Sequence, residues 1–262
     1  MTDSAARSTF DIGRVVESTF GVLGRQFVPF LIISAVLVGV PDLILLGLQR
    51  SLTSNTDAAA AALQGVAFLL FTLVKLILSG LLQGALVTGA VGDLNSKPVD
   101  LSEMVERGFS VALPLIGLSL LQGLAVVVGF ILLFVPGVFL LTIWAVATPS
   151  LVIERSGVFG AFSRSADLTR NHRWAILGLL AVYSILAGIV GFILAVVGRG
   201  LSGGADTFVH GAQAPGLLLI IANAAVSTLL TMVSATGVAA LYYHLRLAKE
   251  GVAPQALVDT FA

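Results

Sequence analysis

The chain has 262 residues, 57% hydrophobic and 11% charged, with a mean hydropathy of +1.04 and a formal net charge of zero. Soluble globular sequences carry charge on about a quarter of their residues, so this composition excludes a water-soluble domain and predicts an integral membrane protein. The absence of cysteine excludes disulfides, thiolate metal sites and cysteine nucleophiles, and the balanced charge gives no reason to expect a nucleic-acid partner.

The opening residues, "MTDSAARSTFDIGRVVESTFGVLGRQF", lack the basic start, short apolar stretch and small-residue cleavage site of a secretory signal, so the first apolar run is expected to stay in the mature protein. Apolar windows of about twenty residues, the length that crosses about 30 Å of hydrocarbon as a helix, predict six spans near 27–48, 61–91, 111–134, 137–153, 174–198 and 216–245. No ten-residue alternation of apolar and polar residues appears, which favours helices over a barrel. Pro136 and Gly137 are expected to close a tight hairpin between spans three and four, and Pro215 to open span six.

An amphipathic stretch precedes each odd-numbered span. Ile12, Val15, Val16, Leu23 and Phe27 make the apolar face of the first; Leu101, Met104, Val105 and Phe109 that of the second; Val158, Ala161, Phe162, Ser165 and Leu168 that of the third. Asp100 and Glu103 read as a capping pair at the second. The expected fold is therefore all-α and polytopic, one domain over 1–262, with six transmembrane helices and interfacial amphipathic helices. Its possible repeats are 8–93, 98–153 and 156–247, each an amphipathic helix plus a transmembrane pair. The alternative is that amphipathic cytoplasmic loops carry no such ancestry.

Orientation follows from Lys and Arg. With the N-terminus inside, the inner segments hold Arg7, Arg14, Arg25, Lys97, Arg107, Arg155, Arg164, Arg170, Arg173, Arg246 and Lys249, and the outer loops only Arg50 and Arg199. Both termini are expected in the cytoplasm, with Trp174, Tyr242 and Tyr243 at the inner boundary.

Lys75 remains inside the second span, where an unpaired charge costs at least about 2.5 to 3.5 kcal/mol. Asp42 is the other ionisable residue well inside a span. Counting from Gln26 and from Gly92 puts Asp42 and Lys75 about 24 and 26 Å from the cytoplasmic ends of adjacent antiparallel helices, so an intramembrane ion pair is predicted. Thr72, Ser79 and Gln83 share Lys75's face and are candidates for its remaining donors. A buried brace, a substrate or proton site, and outward snorkelling are the three readings of this lysine. Small-residue stripes at Gly80, Gly84, Thr88 and Gly92, at Ser227, Thr231, Ala235 and Ala239, and at Ala187, Gly191 and Ala195 predict close helix packing.

No catalytic set, metal-ligand spacing or phosphate loop is found, and no cofactor is expected. Arg164, Arg170, His172 and Arg173 form the densest basic group, beside the membrane, which topology alone or a lipid headgroup site would explain.

The stretch 135–174, "VPGVFLLTIWAVATPSLVIERSGVFGAFSRSADLTRNHRW", carries Pro136-Gly137, Trp144, Pro149, Glu154, Ala161, Arg164-Ser165, Leu168 and Trp174. In these positions it resembles the bacterial six-helix membrane domain that precedes a glycerophosphodiester phosphodiesterase in some proteins and otherwise occurs alone in inner-membrane proteins. The resemblance implies a bacterial inner-membrane location and a family with no established reaction of its own. Because span six ends close to Ala262, no phosphodiesterase domain is expected and glycerophosphodiester hydrolysis is not carried over. The resemblance also implies that Glu154 pairs with Arg164 or Arg170, either bracing the third amphipathic helix or forming a headgroup site. The expected function is that of a nonenzymatic scaffold, partner subunit or lipid-associated accessory factor, with membrane lipids and another membrane protein or complex as partners. The alternative is a small-solute or lipid transporter with a cavity between helix pairs.

Overall fold

In the computed structural model, residues 10–44, 58–97, 100–201 and 217–251 are described. They are 91% helical without strands, and six helical segments are long and apolar enough to cross a membrane. The chain is therefore an all-α, multi-pass membrane protein.

Helix α1 (Ile12–Arg25) begins where Asp11 Oδ1 accepts the Gly13 N–H at 2.8 Å, satisfying a donor that the first turn leaves free. It buries Val15, Thr19, Val22 and Leu23, whereas Val16 and Phe27, expected on the same face, are 39% and 44% exposed. After a bend at Gln26, α2 (Phe27–Ser34) runs into a π-helical turn, Ala35–Gly39, and on through 40–44. Pro41 accounts for the widened turn: its ring opposes the carbonyl four residues back, and the extra residue per turn relieves that clash without ending the helix.

Helices α3 (Ala58–Leu94) and α4 (Leu101–Leu132) form the longest antiparallel pair. At 1.5 Å per residue they measure about 55 and 48 Å, more than a bilayer core needs. Glycines set their approach. A Cβ on Gly84 would lie 2.8 Å from Val111 Cγ2 and 3.1 Å from Gly108 Cα; one on Gly89 would meet Met104 and Phe30 at 2.7 and 2.8 Å. Met104, Gly108, Val111, Leu115 and Leu118, at alternating four- and three-residue steps, make the buried stripe of α4.

The second amphipathic stretch is not a separate interfacial helix. It forms the first turns of α4, which continues unbroken through Pro114. Its cap also differs from expectation: Asp100 accepts from Ser102 through both the backbone N–H (3.4 Å) and Oγ (2.6 Å).

The next hairpin turns three residues before the predicted Pro136-Gly137 dipeptide, at extended Leu133, with Pro136 and Gly137 already inside α5 (Phe134–Ile143). Gly137 is required all the same: a Cβ there would sit 2.6 Å from the Phe130 ring, and one on Gly129 would sit 3.0 Å from Gly137 Cα. Trp144–Val146 then interrupts the span before α6 (Ala147–Glu154). The third amphipathic stretch folds as α7 (Gly157–Leu168) against α6, and α8 (Arg173–Leu201) and α9 (Leu217–Glu250) complete the chain.

The core gathers where α1, α6 and α7 surround α3, α4 and α9, with Leu82, Leu86, Leu115, Leu118, Met232 and Tyr242 at 1% exposure or less. The most apolar window of α8 has no buried residue. Its Ala187, Gly191 and Ala195 stripe meets no helix at Gly191, where an added Cβ would find nothing within 4 Å. The predicted opening of the last span at Pro215 lies outside the described residues.

Candidate functional site

The break between α5 and α6 frees backbone groups that α7 satisfies. Ser165 Oγ accepts the Val146 N–H at 3.2 Å and donates to the Ile143 carbonyl at 2.8 Å, and Thr169 Oγ1 shares its hydrogen between the Ser165 carbonyl at 2.9 Å and Ile143 O at 3.2 Å. Ser165 and Thr169 are fully buried. An unmet backbone group in such a place costs about 1 to 3 kcal/mol, so these two side chains fix α7 against the interrupted span.

This docking brings Arg164 to Glu154. The Arg164 Nε lies 2.9 Å from each Glu154 oxygen, and its Nη2 donates to Glu250 on α9. Arg246, whose side chain is 6% exposed, donates from Nε to Glu250 Oε2 at 2.8 Å and from Nη1 to the Tyr242 hydroxyl at 3.0 Å; that hydroxyl donates to Glu154 Oε1 at 2.8 Å. Two carboxylates thus face two guanidiniums and one phenol, with charge balanced inside the cluster. At its edge Lys249 Nζ lies 2.6 Å from Asp167 Oδ1. Burial works against the Arg164 charge, but hydrogen bonds to Glu250 and Glu154 outweigh it and push its pKa up. The Lys249 hydrogen bond, opposed by partial burial, holds the Asp167 carboxyl below its ordinary range.

Of the alternatives open at Glu154, Arg164 is the partner. Arg170 is exposed and makes no salt bridge among the described residues, although its charge reaches Asp167. His172 stacks against Phe10, with ring centroids 4.8 Å apart. The Arg173 guanidinium lies 4.9 Å above the Phe139 ring. The predicted basic group therefore divides, with Arg164 locked in the brace and Arg170, His172 and Arg173 outside it. Tyr242, expected at the membrane boundary, is wholly buried, whereas Trp174 is 86% exposed.

Asp42 and Lys75 come together: Lys75 Nζ donates to Asp42 Oδ1. Ser227 Oγ on α9 lies 3.2 Å from Asp42 Oδ2 and 3.0 Å from the Ala224 carbonyl of its own helix, so its one hydroxyl hydrogen is shared between them and the carboxylate meets residues of three spans. Thr72, Ser79 and Gln83 do not serve Lys75. Thr72 and Ser79 return to the Phe68 and Leu76 carbonyls of their own helix, and the Gln83 oxygen accepts from Thr148 at 3.4 Å. Asp42→Lys and Lys75→Asp are each expected to lower the melting temperature in detergent, and the double swap to recover part of the loss. Two additive losses would show that the contact contributes nothing.

Sequence reading missed the Arg25–Asp93 bridge (2.6 Å), reinforced by Gln26 Nε2 on Asp93 Oδ1 at 3.0 Å, which ties the α1–α2 bend to the end of α3. It also missed Tyr242, Arg246 and Glu250, although their four-residue spacing puts them on one helix face. In comparisons with protein-family models, curated proteins and solved structures, no family, relative or structure matches the chain.

Proposed function

We propose that this is a nonenzymatic protein of the bacterial inner membrane, with both termini in the cytoplasm, that acts as a scaffold, partner subunit or lipid-associated accessory factor. The observation that carries this reading is the braced charge cluster. Glu154, Arg164, Arg246 and Glu250 neutralise one another between α6, α7 and α9, which suits a rigid platform better than groups that bind and release a substrate. The cytoplasmic assignment rests on the Lys and Arg bias, and on the ion pairs that tie the end of α3 to α1 and the ends of α6 and α9 to α7. The bacterial assignment rests on the resemblance of 135–174 to the membrane domain described above.

A second reading, a transporter of a small solute or lipid, is favoured by one feature. The Asp42, Lys75 and Ser227 contact lies directly after the π-helical turn, and Lys75 and Asp42 retain 40% and 23% side-chain exposure. Purification in native nanodiscs, followed by mass spectrometry of everything retained, tests the first reading. Retention of a stoichiometric protein or an enriched lipid is the expected result. Retention of neither, together with solute flux in vesicles that Lys75→Ala abolishes, would favour the second.

A further inference from the structure

We infer that the cleft between α5 and the start of α8 binds an anionic phospholipid, with its phosphodiester at Arg170 and Arg173 and an acyl chain along α5; this rests on the lipid-associated reading above. The cleft measures about 640 Å³. Arg170, Asn171 and Arg173 supply its polar rim, and Phe134, Val138, Phe139 and Leu177 its apolar wall. That pairing of a cationic rim with a charge-free wall matches an amphiphile, not a soluble ion alone.

The two arginines differ from the other cations around the brace. Arg164, Arg246 and Lys249 all hold carboxylates, whereas Arg170 and Arg173 make no salt bridge among the described residues. The Arg173 guanidinium is held over the Phe139 face, and its Nε is buried without a hydrogen-bond partner. The contact holds the guanidinium against the ring, and its nitrogens, which no carboxylate among the described residues engages, are left for an anion. The start of α8 adds the positive end of a helix to the same rim. Trp174, also on the cleft, is 86% exposed, with an amphipathic ring suited to the headgroup boundary. A smaller cleft of about 190 Å³, between α1, α8 and α9, is walled by residues such as Val15, Leu180 and Val238 and offers no cation to recognise a headgroup.

The test uses the full chain in nanodiscs of phosphatidylglycerol and phosphatidylcholine, equal in amount, with native mass spectrometry of retained lipid. Wild type is expected to retain phosphatidylglycerol preferentially, and Arg170→Gln/Arg173→Gln to lose that preference by about tenfold or more. Arg155→Gln, which changes a cation outside the cleft, should keep it. Quenching of Trp174 by a brominated phosphatidylglycerol, read in a Trp144→Phe background, should weaken in the double variant, independently of any change in its stability. Equal retention of both lipids by wild type, or an unchanged preference in the double variant, would overturn the proposal. So would displacement of the lipid by inorganic phosphate, which would make the rim a site for a soluble anion. A protein partner retained equally by wild type and double variant, without lipid preference, would sink this proposal and leave the scaffold reading in place.

Discussion

Glu154→Ala is expected to destabilise the protein by about 3 kcal/mol, because it leaves two guanidiniums and the Tyr242 hydroxyl with one carboxylate among them. Removing one partner of a well-paired, mostly buried cluster costs more than the pair contributes when intact, since the remaining charge must be held without compensation. Glu154 and Arg164 are 19% and 24% exposed, so water screens part of the loss and the largest values for fully buried pairs do not apply. Arg164→Ala should cost less in the Glu154→Ala background than alone, and melting of the four proteins of this cycle in detergent gives the coupling. Independent effects, or a Glu154→Ala protein as stable as wild type, would mean that the cluster is not a brace.

Gly108→Ala is expected to have an effect of similar size through a different cause. The added Cβ would lie 2.7 Å from the Leu81 carbonyl oxygen and 3.4 Å from the Ala85 nitrogen. Both are backbone atoms of α3, so no rotamer change relieves the contact and α3 and α4 must separate. Overpacking costs about 1 to 3 kcal/mol even where side chains yield, and here the loss should reach the upper end, with lower expression and melting temperature. Gly123→Ala, on the same helix with nothing within 4 Å of the new methyl, is the control and should melt like wild type. Equal behaviour of the two variants would contradict the close α3–α4 approach.

These two sites mark how far sequence reading reaches. Spans are legible because hydrocarbon thickness fixes helix length, and six apolar runs reappear as six crossing segments. Asp42 and Lys75 are legible because a charge in lipid needs a partner and helical rise gives its depth. What periodicity could not decide was whether the amphipathic residues 101–109 form their own helix: the stretch lacks a breaker before Pro114, and the structure carries it straight into α4. The interruption at Trp144–Val146 was invisible because every residue there is apolar, and its compensation comes from Ser165 and Thr169, about twenty residues later in the chain. Arg25 and Asp93, 68 residues apart, share no local pattern, so their bridge appears only once the fold brings the helix ends together.

The central claim is that the polar groups among the spans are packed braces and not the lining of a water-filled path. Because the chain has no cysteine, single cysteines at Ser79 on α3, Gln122 within α4 and Ser227 on α9 can be probed with a membrane-impermeant maleimide in sealed vesicles of either orientation. Protection at all three is predicted. Labelling of Ser79→Cys or Ser227→Cys, the two nearest the Asp42 and Lys75 contact, would place water at that contact and contradict the platform in favour of a transporter.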